Sequence, residues 1–310
     1  MSCFTPLDGY RVKGGSVVIV ARGDRPPRNA LTRVPLSIPC GGCQGCRLEK
    51  SRQWAMRCMH EARMSSVSSF VTLTYDNDHL PPGGSLSPTA LRYFMGKLRK
   101  KREAGVRFYG CGEYGEVNMR PHYHVLLFNC DFPDKKFHSR NGRNEPLYTS
   151  DELRVLWPFG FNLIGAVTYE SAAYVARYVM KKVNGKKADD HYAVYDANGQ
   201  IFDRYPEFAR MSRMPGVGAG YYEKYGGEVR AHDTIIVNGK EVKPPRYYDK
   251  KHEAASCKGA DGLLCKCTFC SLKRKRKRLA VLHKADNTPE RLRVKEVIAL
   301  AKMKNSPRKV

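Results

Sequence analysis

The chain predicts an α+β fold built around an antiparallel sheet. Three observations point there. Strand-like and helix-like segments alternate between residues 69 and 183, and a short polar turn joins two of the strands. Apolar residues make up 42% of the 310-residue chain, enough for a packed core. In chain order the segments read strand, helix, strand, strand, helix, strand, helix. Most of this is a split β-α-β-β-α-β arrangement with helices on one face.

Residues 1–40 are rich in Pro, Gly and Arg, lack periodicity and read as an extended arm. A helical pattern begins near Arg47, with Leu48, Ser51, Trp54, Ala55, Cys58 and Ala62 on one stripe. Ser69 to Tyr75 has the β-branched and aromatic composition of a strand. Ser87 and Pro88 then open a helix that runs to about Ala104 and turns Leu91, Phe94, Met95 and Leu98 to the core. Val106 to Gly115 and Pro121 to Phe128 form a predicted antiparallel hairpin. Residues 131–149 are polar and irregular. "SDELRVLW" is a short capped helix, "FNLIGAVTY" a strand, and Ser171 to Val183 a helix capped by Ser171. Past Gly185 the pattern weakens, and residues 186–256 mix Gly, Tyr and charge without a clear period. Three regions follow: an arm and Cys-rich helical segment over 1–64, a core domain over 65–185, and a basic C-terminal region over 186–310.

The formal net charge is +25, from 55 Lys and Arg against 30 Asp and Glu. Such a field attracts polyanions by releasing their counterions. No apolar run approaches the ~18–20 residues of a membrane span, which excludes an integral helical membrane protein. Asp8, Lys13 and two glycines break the stretch a signal peptide needs, which argues against secretion. Eleven cysteines, an odd number in that setting, point to metal binding rather than a disulfide scaffold.

His122 and His124 stand at i and i+2 of a strand, so both project from one face about 7 Å apart. Two imidazoles so placed reach one divalent metal. Leu126 continues their face, while Tyr123, Val125 and Leu127 pack on the other. Glu113, near the end of the preceding strand, stands beside them if the two strands pair; Glu116 competes from the turn. Tyr174 and Tyr178, four apart, share a helix face. Lys181 and Lys182 follow at i+3 and i+4 from Tyr178, so a cation shares the face of its hydroxyl. The plainer reading of the tyrosines is an aromatic stripe packed on the sheet. Taken together the residues describe phosphoryl transfer. A metal on His122, His124 and Glu113 polarises a phosphodiester, a tyrosine attacks phosphorus and Lys181 stabilises the developing charge.

"FVTLTY", "RPHYHVLLF" and "YVARYVMKK", in that order, resemble the three motifs of HUH endonucleases that initiate rolling-circle replication. The paired tyrosines resemble the two-tyrosine branch. "PCGGCQGCRLEKSRQWAMRC" further resembles the replication initiators of microviruses of gokushovirus type. The motifs cover residues 70–182, and the Cys-rich entry extends the match to residue 40. The resemblance implies the HUH endonuclease fold, a ferredoxin- or RRM-like split β-α-β core. It implies Mg²⁺ or Mn²⁺ on His122 and His124, with Glu113 at a third-ligand position. It implies Tyr178, inside "YVMK", as a nucleophile and Tyr174 as the second; one tyrosine opens the origin and the other cuts after synthesis. Tyr123 departs from the aliphatic residue usual between the two histidines. The expected partner is single-stranded or unpaired origin DNA, in the cytoplasm of a bacterial host. The 3′-OH left by the nick would prime a polymerase. Without a Walker-type phosphate loop no nucleotide cofactor is expected, and unwinding falls to a host helicase.

Cys40, Cys43 and Cys46 form C-x₂-C-x₂-C and suit tetrahedral zinc, with Cys58 as fourth ligand and His60 as its competitor. Cys257, Cys265, Cys267 and Cys270 form another site or share the first. The alternative for both groups is free thiols. The tail from 271 carries 14 Lys and Arg against three acids, beginning with Lys273, Arg274, Lys275, Arg276, Lys277 and Arg278, and reads as a DNA-binding arm. Two rivals share much of this pattern. One is a relaxase or transposase of the same chemistry. The other is a non-catalytic RRM-like binder, which should read bases with exposed sheet aromatics.

Overall fold

β-Branched and aromatic runs carry the strands of the computed structural model, and Ser, Thr and Pro set several of its helix starts. Residues 3–13, 15–102, 105–178, 182–183, 188–195, 199–237, 239–257, 267–283 and 285–305 are described. The elements begin with β1 (Leu7–Arg11), β2 (Val17–Val20), β3 (Leu36–Ile38), α1 (Gln44–Arg63), β4 (Ser68–Thr74) and α2 (Pro88–Lys101). Next come β5 (Arg107–Tyr114), β6 (Pro121–Phe128), β7 (Lys136–Arg140), β8 (Pro146–Thr149), α3 (Asp151–Leu156), β9 (Asn162–Gly165) and α4 (Tyr169–Tyr178). Then follow α5 (Ala188–Tyr192), β10 (Ala193–Tyr195), β11 (Ile201–Asp203), β12 (Phe208–Met211), α6 (Ala219–His232), β13 (Ile235–Val237) and β14 (Lys240–Val242). The chain closes with α7 (Arg246–Ser256), α8 (Thr268–Leu282) and α9 (Pro289–Asn305). It divides into two compact units: Met1–Lys50 with Asp249–Arg308, and Ser51–Tyr248.

The unit of Ser51–Tyr248 holds a seven-stranded antiparallel sheet in the order β12-β5-β6-β4-β9-β8-β7. Its strands β5-β6-β4-β9, with crossover helices α2 and α3, have the split arrangement expected from the segment order. Ser87 accepts a hydrogen bond from the Ala90 amide at the start of α2, with Pro88 at the first turn. Leu91, Phe94, Met95 and Leu98 of α2 and Leu153 and Leu156 of α3 cover Val71, Leu73, Tyr123, Val125 and Leu127. The opposite face is covered as well, which the expectation of helices on one face omits. There Ala55 and Cys58 of α1 and Ala172, Val175 and Ala176 of α4 pack on Phe70, Tyr109, Leu126 and Phe128. The unbroken apolar run Val125 to Phe128 explains this, because both sides of β6 need shelter.

Other departures have local causes. The first forty residues hold a small sheet in the order β2-β1-β3 instead of an arm. Residues 131–149 include the β7–β8 hairpin, whose turn is built by Asn141 Oδ1 accepting from the amides of Arg143 and Glu145. These strands are exposed or half-buried, so they carry no clean apolar alternation. α4 starts at Tyr169, two residues before the expected cap. The Thr168 amide donates to Ser171 Oγ and the Ser171 amide to Thr168 Oγ1, so Thr168 caps the helix reciprocally with Ser171. Within residues 186–256, β12 extends the main sheet beside β5.

Tyr123 is fully buried, and its hydroxyl accepts from the Ser87 amide at 2.9 Å and donates to the Ser87 carbonyl at 3.1 Å. Tyr75 lies within hydrogen-bond distance of the same oxygen, at 3.1 Å. The hydroxyl that an aliphatic residue would lack therefore holds the start of α2 on the sheet. Tyr123→Phe should lower unfolding free energy by about 1–3 kcal/mol, the cost of leaving the buried Ser87 amide unpaired. Urea denaturation with an unchanged m-value measures it.

Candidate metal centre and its tyrosine

Strand pairing assembles the centre. β5 and β6 pair so that Glu113 lies directly opposite His122, and β4 places Thr72 opposite His124. Because i and i+2 share a face, His124 joins the same cluster. Glu113 Oε1 stands 2.7 Å from His122 Nε2 and 2.9 Å from His124 Nε2. The two rings meet edge to face with centroids 4.9 Å apart. Glu113 and His124 are buried, and His122 is partly open.

Each imidazole is held from behind. His122 Nδ1 lies 3.1 Å from the Arg120 carbonyl, which only accepts, so this nitrogen carries a proton. His124 Nδ1 lies 3.0 Å from Thr72 Oγ1. These supports aim both Nε2 atoms at the carboxylate, the outer-shell arrangement typical of metal-bound histidine. Burial alone would raise the Glu113 carboxyl. The hydrogen bonds from His122 and His124 outweigh it and hold the group below the usual carboxylate range. Two imidazole nitrogens and one carboxylate oxygen, all within 4.8 Å of one another, fit a divalent cation.

α4 lies against β5 and β6 and brings a phenol to the cluster. Ala172, Val175 and Ala176 face the sheet, which leaves half-buried Tyr174 at the rim of the packed stripe. Its hydroxyl is 3.5 Å from Glu113 Oε1, and its ring meets His124 edge on at 5.1 Å. A cavity of about 190 Å³ opens beside these groups. Its walls include Phe70, Thr72, His124, Arg143, Leu147 and Tyr174, so the β7–β8 hairpin supplies one side.

The other expected site residues distribute differently. Tyr178 ends the described part of α4, one turn beyond Tyr174; its side chain lies outside the described residues, as does Lys181. Lys182 is exposed and not helical, so it does not sit at i+4 on a continued helix as expected. Cys40, Cys43 and Cys46 cluster with Cys3, not with Cys58. Cys46 and Cys58 are twelve residues apart on α1, about 18 Å along a helix axis. Cys58 is fully buried among apolar side chains, and burial pushes its thiol up. His60, its competitor, is also buried; its Nδ1 lies 2.7 Å from the Tyr248 hydroxyl. In the second group Cys257, Cys267 and Cys270 come together, with 3.7 Å between the Cys257 and Cys270 sulfurs; Cys265 lies outside the described residues. The basic block is helical, within α8. Arg276 pairs with Asp249 through two contacts of 2.8 and 3.0 Å, while Lys273, Lys275, Lys277 and Arg278 are exposed. Sequence reading missed Thr72, Cys3 and Arg143. Only Thr72 left a signal, as a threonine in the strand that β6 pairs with.

Residues 68–183 match the family described as Replication-associated protein ORF2. The chain is 33% identical over 273 residues to Replication-associated protein ORF2 of Spiroplasma virus 4, covering 82% of this chain and 81% of that protein. It is 34% identical over 257 residues to Replication-associated protein VP4 of Bdellovibrio phage phiMH2K, covering 80% and 76%. It is 28% identical over 220 residues to Replication-associated protein ORF4 of Chlamydia phage 1, covering 68% and 52%. No solved structure matches the chain significantly.

The centre makes a direct prediction for binding. Isothermal titration with Mn²⁺ should show at least a tenfold loss of affinity in Glu113→Gln and His124→Ala, in line with loss of one ligand in three. Glu116→Gln, changed in the turn outside the cluster, should bind as the parent does.

Proposed function

The chain belongs to the replication-associated proteins of microviruses, and on that footing we propose that it initiates replication by nicking single-stranded or unpaired origin DNA through tyrosine transesterification. The observation that carries this reading is the phenol of Tyr174 at 3.5 Å from the carboxylate of a two-histidine, one-carboxylate cluster. Glu113, His122 and His124 would hold Mn²⁺ or Mg²⁺, which when bound supplies Lewis-acid polarisation of a phosphodiester oxygen. The mixed nitrogen and oxygen set suits Mn²⁺ better than Mg²⁺, which favours oxygen ligands.

The chain's own residues do the rest. The Tyr174 hydroxyl attacks phosphorus, the bond from phosphorus to the 3′-oxygen breaks, and that oxygen leaves as a 3′-OH after taking up a proton. The 5′-phosphate stays on the phenol as a phosphotyrosine. Phe70, Leu147 and Arg143 around the adjoining cavity offer an apolar surface and a cation to the nucleotide beside the cleaved bond. Tyr178, one turn on, is the second nucleophile that recloses the strand. The stored phosphodiester bond makes that closure independent of ATP. A polymerase extends the 3′-OH, and a host helicase opens the duplex ahead of it. The RRM-like alternative loses ground, because α1 and α4 cover the sheet face and α2 and α3 its reverse.

Labelled single-stranded oligonucleotide with Mn²⁺ should give a denaturation-resistant protein adduct. The adduct should vanish in His122→Ala and in the Tyr174→Phe, Tyr178→Phe double variant, while each single Phe variant keeps part of it. An adduct of parental yield in the double variant would exclude both tyrosines as nucleophiles.

A further inference from the structure

We propose that Cys3, Cys40, Cys43 and Cys46 bind one zinc ion as a tetrahedral tetrathiolate that fastens the N-terminal sheet to the start of α1. The distances carry it. Zinc–sulfur bonds of about 2.3 Å set the edges of a tetrahedron at about 3.8 Å. Cys3 Sγ is 3.6 Å from Cys40 Sγ and 3.8 Å from Cys43 Sγ, and all four sulfurs lie within 4.8 Å of one another. All four are free cysteines. The spacing is that of ligands around a single ion; a multi-iron cluster would hold its thiolates on separate irons, farther apart.

The surroundings are built for thiolates. The Phe4 amide donates to Cys43 Sγ, the Cys40 amide to Cys3 Sγ and the Cys43 amide to Cys40 Sγ, each at 3.3 Å. The Thr5 hydroxyl donates to Cys40 Sγ at 3.2 Å. Gly41, at φ +78°, makes the turn that lets the Cys43 amide point back at Cys40. Cys46 stands in the first turn of α1, where unpaired amides and the helix dipole favour negative charge.

Core burial alone gives this segment little support. Among described residues 3–50 the buried apolar side chains are Cys3, Tyr10 and Val12, while Val17, Val18 and Ile19 of β2 stay exposed. A segment with so small a core needs a staple. Zinc supplies one by joining the chain ahead of β1 to the turn after β3 and to α1, with release of the thiol protons on binding. The fourth ligand thus comes from 37 residues upstream of Cys40, beyond the reach of the C-x₂-C-x₂-C pattern.

Elemental analysis of the purified full chain tests the site. Cys3→Ser and Cys40→Ser should each hold one zinc ion fewer per chain than the parent, and Cys58→Ser the same number. Mn²⁺ binding at Glu113 serves as the folding control for the Cys3 variant. In cobalt-substituted protein, the thiolate-to-metal absorption of this site should fall by about one quarter in Cys3→Ser, as one of four thiolates is lost. Zinc removal should also expose residues 4–40 to limited proteolysis. A Cys3→Ser chain with the parental zinc content, or a Cys58→Ser chain that loses an ion, would overturn the assignment.

Discussion

A carboxylate sealed into a sheet must meet compensating donors or give up its charge. Glu113 meets two imidazoles from the neighbouring strand, and the local structure follows from keeping that meeting. Hairpin pairing of β5 with β6 sets Glu113 against His122. The two-residue period brings His124 to the same side. Slipping that register by one residue would turn both histidines into the apolar layer beneath α2 and α3 and leave the carboxylate alone. The apolar run after His124 guards the register, because Val125 and Leu127 must face one layer and Leu126 and Phe128 the other.

The second face of the sheet decides what the cluster can do. Had it been open to solvent, the histidines would be surface groups with a weak hold on anything. Instead α1 and α4 close over it, and α4 sets Tyr174 at the rim. The phenol, the imidazoles and the carboxylate then share one pocket wall with the β7–β8 hairpin. Burial strengthens every electrostatic interaction there, and the partly open His122 keeps a route for a large anionic substrate. The net charge of +25 supplies the long-range attraction that brings such a substrate near.

The segments with strong periodicity were legible from the sequence. α2 with its Ser87 cap, the β5–β6 hairpin and the facing of His122 and His124 all follow from spacing and turn chemistry alone. Exposed elements were not legible. β7 and β8 bury too little to show alternation, and the small β1–β3 sheet hides its apolar side chains among Pro, Gly and Arg. The sequence names three of the four clustered thiols, but local spacing has no access to Cys3, which arrives through tertiary folding. Cys58 misleads for the same reason. It is close to the motif in number, yet helical rise carries it away and its side chain serves the core.

The claim on which the account rests is that Glu113, His122 and His124 hold one divalent cation beside Tyr174. Crystals of the protein grown with Mn²⁺ and measured for anomalous scattering at the manganese edge test it most directly. The account predicts one peak about 2.0–2.3 Å from His122 Nε2, His124 Nε2 and a Glu113 oxygen. A fully formed cluster without a peak, or a peak bound by other side chains, would contradict it.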